Sequence, residues 1–79
     1  MTKENKLRGY LETLRRLKFI VDALRAGRRV NVSSLAEELE RSGRTIKRDI
    51  AALRSDFNAP ISFDRESNSF LLTEKGWRF

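Results

Sequence analysis

Residues 41–57 read RSGRTIKRDIAALRSDF. At about 100° per residue on a helical wheel, Ile46, Ile50, Leu53 and Phe57 fall within an arc about 60° wide. Arg41, Arg44, Lys47 and Arg48 lie on the opposite side, spread over about 120°. The pattern is that of a helix with one apolar ridge packed inward and its cations turned outward. Ser42 is a good N-cap for it, and Pro60 ends any helical continuation. Charged outer faces are common on soluble helices, but they usually mix signs so that acids pair with bases. Here the first two turns are purely basic, and cations near a helix N-terminus oppose its dipole by about 0.3–1 kcal/mol each. Tolerance of that conflict points to a compensating polyanion. Free backbone N–H groups and Arg side chains in such a turn suit phosphates and guanine edges. The plainer alternative is a solvated face. Asp49 falls squarely on neither arc and is expected to hold an arginine in place, with no catalytic role.

Upstream, residues 6–27 read KLRGYLETLRRLKFIVDALRAG. Leu7, Tyr10, Leu14, Leu17, Val21 and Leu24 recur in alternating steps of three and four, which predicts a helix, with Gly27 as its stop. A short β-prone piece follows around residues 30–32. Ser33 or Ser34 then reads as an N-cap, and Glu37 stands three residues after Ser34 as in a capping box. The helix SLAEELE places Leu35, Ala36 and Leu39 on one side.

Downstream, Ile61 and Phe63 alternate with Ser62 and Asp64, and Phe70 and Leu72 alternate with Leu71 and Thr73. The polar DRESNS lies between them, and Asn68 is suited to a left-handed turn conformation, so the segment predicts a β-hairpin. The order is helix, short strand, helix, helix, hairpin. The expected fold class is α+β, a winged helix-turn-helix of three helices and a C-terminal hairpin wing, with an extended first helix. A single domain covers residues 1–79. Within it come an N-terminal helix extension over 1–14, the helix-turn-helix over 33–57, the wing over 60–73 and a tail over 74–79.

Composition narrows the function. The 79 residues carry 17 Lys and Arg against 11 Asp and Glu, a formal charge of +6. A small chain of this charge attracts nucleic acid or an anionic membrane. No apolar run approaches the roughly 18 residues of a membrane span, and no signal peptide or lipidation motif is present, so a membrane partner is not expected. Cysteine and histidine are both absent, which removes thiol chemistry, Cys or His zinc sites and histidine acid–base catalysis. The four glycines are scattered singly, so there is no Gly-rich phosphate loop. No enzyme activity, catalytic residue, metal, cofactor or small-molecule ligand is expected. A cytoplasmic, nucleoid-associated location fits a cysteine-free basic chain.

The stretch LAEELERSGRTIKRDIAAL, residues 35–53, resembles the L-A-E-x-L-x-V-S-x-R-T-I-x-R-D-I-x-x-L signature of winged helix-turn-helix regulators. It is similar to DeoR-type repressors and especially to the N-terminal domain of WYL-domain transcription factors. The likeness covers roughly residues 14–73 and includes a wing in APISFDRESNSFLLT. Its S-x-R-T-I-x-R-D core is fairly specific, and the rest is generic. Two departures stand out. Glu40 and Arg41 occupy the turn positions that the family gives to Gly and a buried Val. Either the turn shifts or the Arg41 side chain reaches outward toward DNA. WYL regulators also continue after the wing into a ligand-sensing domain, and no sensing role is assigned to these residues.

The resemblance implies that Ser42, Arg44, Thr45, Lys47 and Arg48 sit at the DNA-facing end of a recognition helix spanning 43–57. Arg44 and Arg48 lie one turn apart and suit base edges or deep phosphate contacts, whereas Lys47, a flexible point charge, suits a phosphate. Ser42 and Thr45 are candidates to donate to phosphate, with helix capping an equal role for Ser42. Ser33 and Ser34 are candidates for anchoring on the DNA backbone, with a capping box alone as the alternative. Arg65 at the wing tip is a candidate for the minor groove or a phosphate, against a solvated turn beside Asp64 and Glu66.

Leu17, Ile20, Val21 and Leu24 suffice to cover the other helices. Leu7, Tyr10, Leu11 and Leu14 continue the stripe beyond that core with coiled-coil spacing, which predicts a homodimer through them. The alternative is packing on the chain's own hairpin or its Trp77–Phe79 tail. The expected function is a sequence-specific double-stranded DNA-binding regulator, a dimeric repressor. A winged-helix protein-interaction module that reads no DNA is the competing class, and RNA or non-specific chromatin-type binding is a third.

Overall fold

A computed structural model describes residues 3–79, with side chains from residue 6 onward. The extension expected over 1–14 therefore lies partly outside the described residues. Three helices, α1 (Lys3–Arg25), α2 (Val32–Leu39) and α3 (Gly43–Asp56), precede two strands, β1 (Ile61–Asp64) and β2 (Ser69–Leu72). The strands form one antiparallel hairpin with Ile61 opposite Leu72 and Phe63 opposite Phe70. The architecture is the α+β winged helix-turn-helix expected from the sequence.

Local chemistry sets the boundaries. α1 ends where Gly27 takes the left-handed conformation, φ 74°. The Arg28 amide bonds back to the Ala23 carbonyl and the Gly27 amide to that of Leu24, the paired reverse bonds that close a helix C-terminus. α2 closes in the same manner. The Arg41 amide reaches the Ala36 carbonyl and the Glu40 amide reaches that of Glu37. The left-handed residue there is Glu40, φ 52°. The left-handed position of the turn is thus filled without a glycine, at the steric cost a Cβ incurs in that region. Asn68 turns left-handed at φ 51°, as its sequence context suggested.

Two sequence expectations need correction. The β-prone piece at 30–32 forms no strand: Val32 already belongs to α2. Its one backbone-to-backbone bond to the hairpin among the described residues is at Val30, whose carbonyl accepts from the Phe70 amide at 2.8 Å. The N-cap of α2 is neither Ser33 nor Ser34. It is Asn31, whose side chain accepts from the Ser34 amide while the Ser34 hydroxyl accepts from the Asn31 amide. Asn is as good a cap as Ser, and placed here it starts the helix before an extended strand can develop.

The core is one cluster. Leu17, Ile20, Val21 and Leu24 of α1 meet Leu35 of α2, Ile46, Ile50 and Leu53 of α3, and Ile61, Phe70 and Leu72 of the hairpin. The ridge deduced from residues 41–57 therefore does face inward, with Phe57 half-buried at its end. Burying side chains of this kind stabilises by about 1.5–3 kcal/mol each before chain entropy is subtracted. Gly43 sits where α3 crosses the start of α2. A Cβ at that position would lie 3.3 Å from a methyl of Val32, a tight contact that the Val32 side chain would have to relieve by a few tenths of an ångström.

Candidate nucleic-acid interface

α3 begins at an exposed corner. Ser42 is its N-cap, accepting from the Thr45 amide at 3.2 Å and donating to the Thr45 hydroxyl at 3.2 Å. Of the two jobs open to Ser42, capping is the one seen in the free protein. Thr45 is half-buried beside it. Arg44, Lys47 and Arg48 project from the outer face of the first two turns, and all three are exposed. Among the described residues none of the three has a carboxylate partner. Together with Val32, Gly43 and Ala51 they line a shallow, open depression of about 450 Å³ along α3. A concave, uncompensated basic strip of this kind meets a polyanion at little cost in displaced internal partners.

The one acid in this region is taken up elsewhere. Asp49 is only 4% exposed. It accepts from Arg16 Nε at 2.7 Å and from a terminal Arg16 nitrogen at 3.2 Å, so α1 and α3 are joined by a two-point grip. The hydrogen bond to Asp49 raises the Arg16 pKa above its already high ordinary value. Asp49 is thus spent on Arg16 and quenches none of the outward cations. The sequence expectation that Asp49 holds an arginine is met, and Arg16 is the partner that periodicity alone had not singled out.

Arg41 is exposed, as an outward-reaching side chain would be, and lies 3.6 Å from Glu12 of α1. Ser33 is exposed on the first turn of α2, whereas the Ser34 hydroxyl is engaged in the capping box. Arg65 is exposed at the wing tip. Its neighbour Asp64 turns its carboxylate into the hairpin, accepting from the Glu66 amide and the Ser67 hydroxyl. Those bonds, with Ser67 the foremost, hold the Asp64 carboxyl below the usual carboxylate range. Asp64 therefore stabilises the turn and leaves Arg65 without an ion pair among the described residues.

The proposed dimer residues stand apart from this face. Leu7 is 59% exposed, Tyr10 66%, Leu11 46% and Leu14 51%, so neither the hairpin nor the tail buries them, although Phe79 of the tail borders the same shallow pocket as Leu14. The tail docks lower down. The Trp77 indole N–H donates to the Phe57 carbonyl at 3.1 Å, and Arg25 donates to the Trp77 carbonyl.

Sequence reasoning passed over Asn31, whose side-chain amide donates to the Asn68 carbonyl of the wing at 3.1 Å. The signal was present, because Asn is a favoured cap and Ser34 follows three residues later. Among the described residues no group of three or more Asp or Glu side chains is arranged to hold a metal ion, and no helix is long and apolar enough to cross a membrane.

Comparison with known proteins agrees with the fold. A model of the family described as HTH domain matches residues 16–67, more than half of the chain. No curated protein and no solved structure matches it.

Proposed function

The chain belongs to the HTH domain family, and from that premise we propose that it is a sequence-specific transcription regulator of the repressor kind. Helix-turn-helix membership makes it a DNA-binding protein. The observation that carries the finer reading is the row of Arg44, Lys47 and Arg48 on α3, exposed and unpaired at the amino-terminal end of the helix. Arg44 and Arg48 contact base edges in the major groove, and Lys47 meets phosphate. Ser33, Arg41, Ser42, Thr45 and Arg65 surround them as backbone contacts, and Ser34 supports that edge from its capping box. The resemblance to DeoR-type repressors supports repression. A nucleoid-associated location in the cytoplasm follows from a duplex DNA partner.

The exposed Leu7, Tyr10, Leu11 and Leu14 support a homodimer paired through the amino-terminal half of α1. Two copies then present α3 to half-sites about one DNA turn, roughly 34–36 Å, apart.

Selection of bound duplexes from a random pool tests the proposal. An enriched palindrome is the expected outcome, and absence of any enriched sequence refutes specific reading in favour of a protein-interaction module. On the enriched duplex, Arg44→Ala with Arg48→Ala should abolish specific binding without lowering the unfolding temperature. Wild-type affinity should fall steeply with salt, because each neutralised phosphate releases counterions.

A further inference from the structure

The wing is anchored to the helices at both of its ends, but by different means. At its base, Arg54 of α3 donates to the Ile61 carbonyl at 3.0 Å, and the Thr73 amide and hydroxyl both reach the Pro60 carbonyl. Midway, the Phe70 amide donates to the Val30 carbonyl. At the tip, residues 65–68, the hydrogen bond to the helical part among the described residues is the one from Asn31 Nδ2 to the Asn68 carbonyl.

Asn31 has two bonds of opposite sense on one side chain. Its Oδ1 accepts from the Ser34 amide at 2.9 Å and so starts α2. Its Nδ2 is left to donate, and it donates to the wing. Ser, Asp and Asn are comparable as N-caps. Of these only the Asn side chain carries an N–H as well as an acceptor, so capping alone does not account for both bonds. α2 in turn sits against α3 at the Gly43–Val32 approach. Wing tip, α2 and recognition helix are thereby tied in series.

We propose that Asn31 is a positioning residue for DNA recognition, which latches the wing tip to the start of α2 and so holds Arg65 against the DNA backbone. The inference rests on the DNA-binding reading above and deepens it. The tip is braced for such a role. Asp64 is occupied by Glu66 and Ser67, Ser67 lies 2.6 Å from Ser69, and Asn68 closes the turn in the left-handed region. Arg65 is the cation that this bracing presents to solvent. Released from Asn31, the tip keeps its internal turn but loses its fixed distance from α3, and the Arg65 contact then has to be ordered anew on binding.

The experiment is a double-mutant cycle of Asn31→Ser and Arg65→Ala, using the duplex recovered by selection. Serine keeps a neutral cap acceptor for the Ser34 amide and removes the amide N–H, leaving one shorter hydroxyl in place of the two separate atoms that cap α2 and reach Asn68. Asn31→Ser should unfold at the wild-type temperature yet bind about threefold to tenfold more weakly, the scale of one net hydrogen bond. The slope of log affinity against log salt should fall by about one, as for a lost phosphate contact. In the Arg65→Ala background the same change should have no further effect. Should the serine variant lose the fold, Asn31→Thr, another neutral cap without an N–H, replaces it in the cycle. Wild-type affinity in Asn31→Ser, or effects that multiply independently with Arg65→Ala, overturns the inference alone. A wild-type chain that binds no duplex overturns the DNA-binding reading and this inference together.

Discussion

Arg16 of α1 grips Asp49 of α3 at two points, and the side chains are only 15% and 5% exposed. A charge pair this deep is weak grounds for stability compared with an apolar pair of the same shape, but removing one member strands the other. Asp49→Ala should therefore cost roughly 2–4 kcal/mol, somewhat under the full range for a buried pair because Arg16 keeps some contact with solvent. Arg16→Met with Asp49→Leu should cost less than either single truncation. Urea denaturation of the three variants checks the ordering, and a double variant weaker than both singles would show that the pair contributes more than its own repair.

The turn between α2 and α3 has its own test. Glu40 occupies a left-handed position that glycine enters without steric cost. Glu40→Gly should raise stability by about 0.5–1 kcal/mol, whereas Gly27→Ala, at φ 74°, should lower it by a similar amount. Denaturation midpoints at an unchanged m-value would register both shifts.

Substituting the apolar stripe of α1 separates assembly from folding. Leu11 and Leu14 are exposed within the chain, so Leu11→Glu with Leu14→Glu should leave the core intact. Sedimentation should show a concentration-dependent dimer for the wild type and a monomer for the variant. A wild type that stays monomeric at high micromolar concentration would remove the dimer.

The wing tip should respond to acid. Asp64 has its pKa lowered in the folded protein, chiefly by the Ser67 hydroxyl. Its contribution is thus present above the ordinary carboxylate pKa, about 3.9, and is lost as pH falls through the lower folded value. The amide resonance of Glu66, which donates to Asp64, should titrate with a midpoint below that ordinary value. Ser67→Ala should move the midpoint upward.

The ridge of α3, the hairpin alternation and the left-handed Asn68 were legible in the sequence because each is a local pattern with a single physical reading. The turn at residues 39–42 was harder. Glu40 takes a left-handed conformation there, since backbone hydrogen bonds to Ala36 and Glu37 offset the strain of one Cβ. The start of α2 was misread because three neighbouring residues, Asn31, Ser33 and Ser34, are all competent caps, and local propensity does not rank them. The reciprocal bonds between Asn31 and Ser34 are the ones that form. The Arg16–Asp49 and Asn31–Asn68 links join residues more than thirty positions apart, and single-chain periodicity carries no information at that range.

α1 also has unequal ends. Its second half is nailed down by Leu17, Ile20, Val21 and Leu24, while Leu7, Tyr10, Leu11 and Leu14 face water and Gly9 sits among them. A lone stretch of that length is a marginal helix in water, and an interior glycine weakens it by about another 1 kcal/mol. Local opening should therefore grade along the axis of one continuous rod, cheap at the start and as costly as global unfolding near Leu24. A second copy settling on those leucines, as proposed above, should therefore add helix as well as contact, read as circular dichroism that deepens with protein concentration.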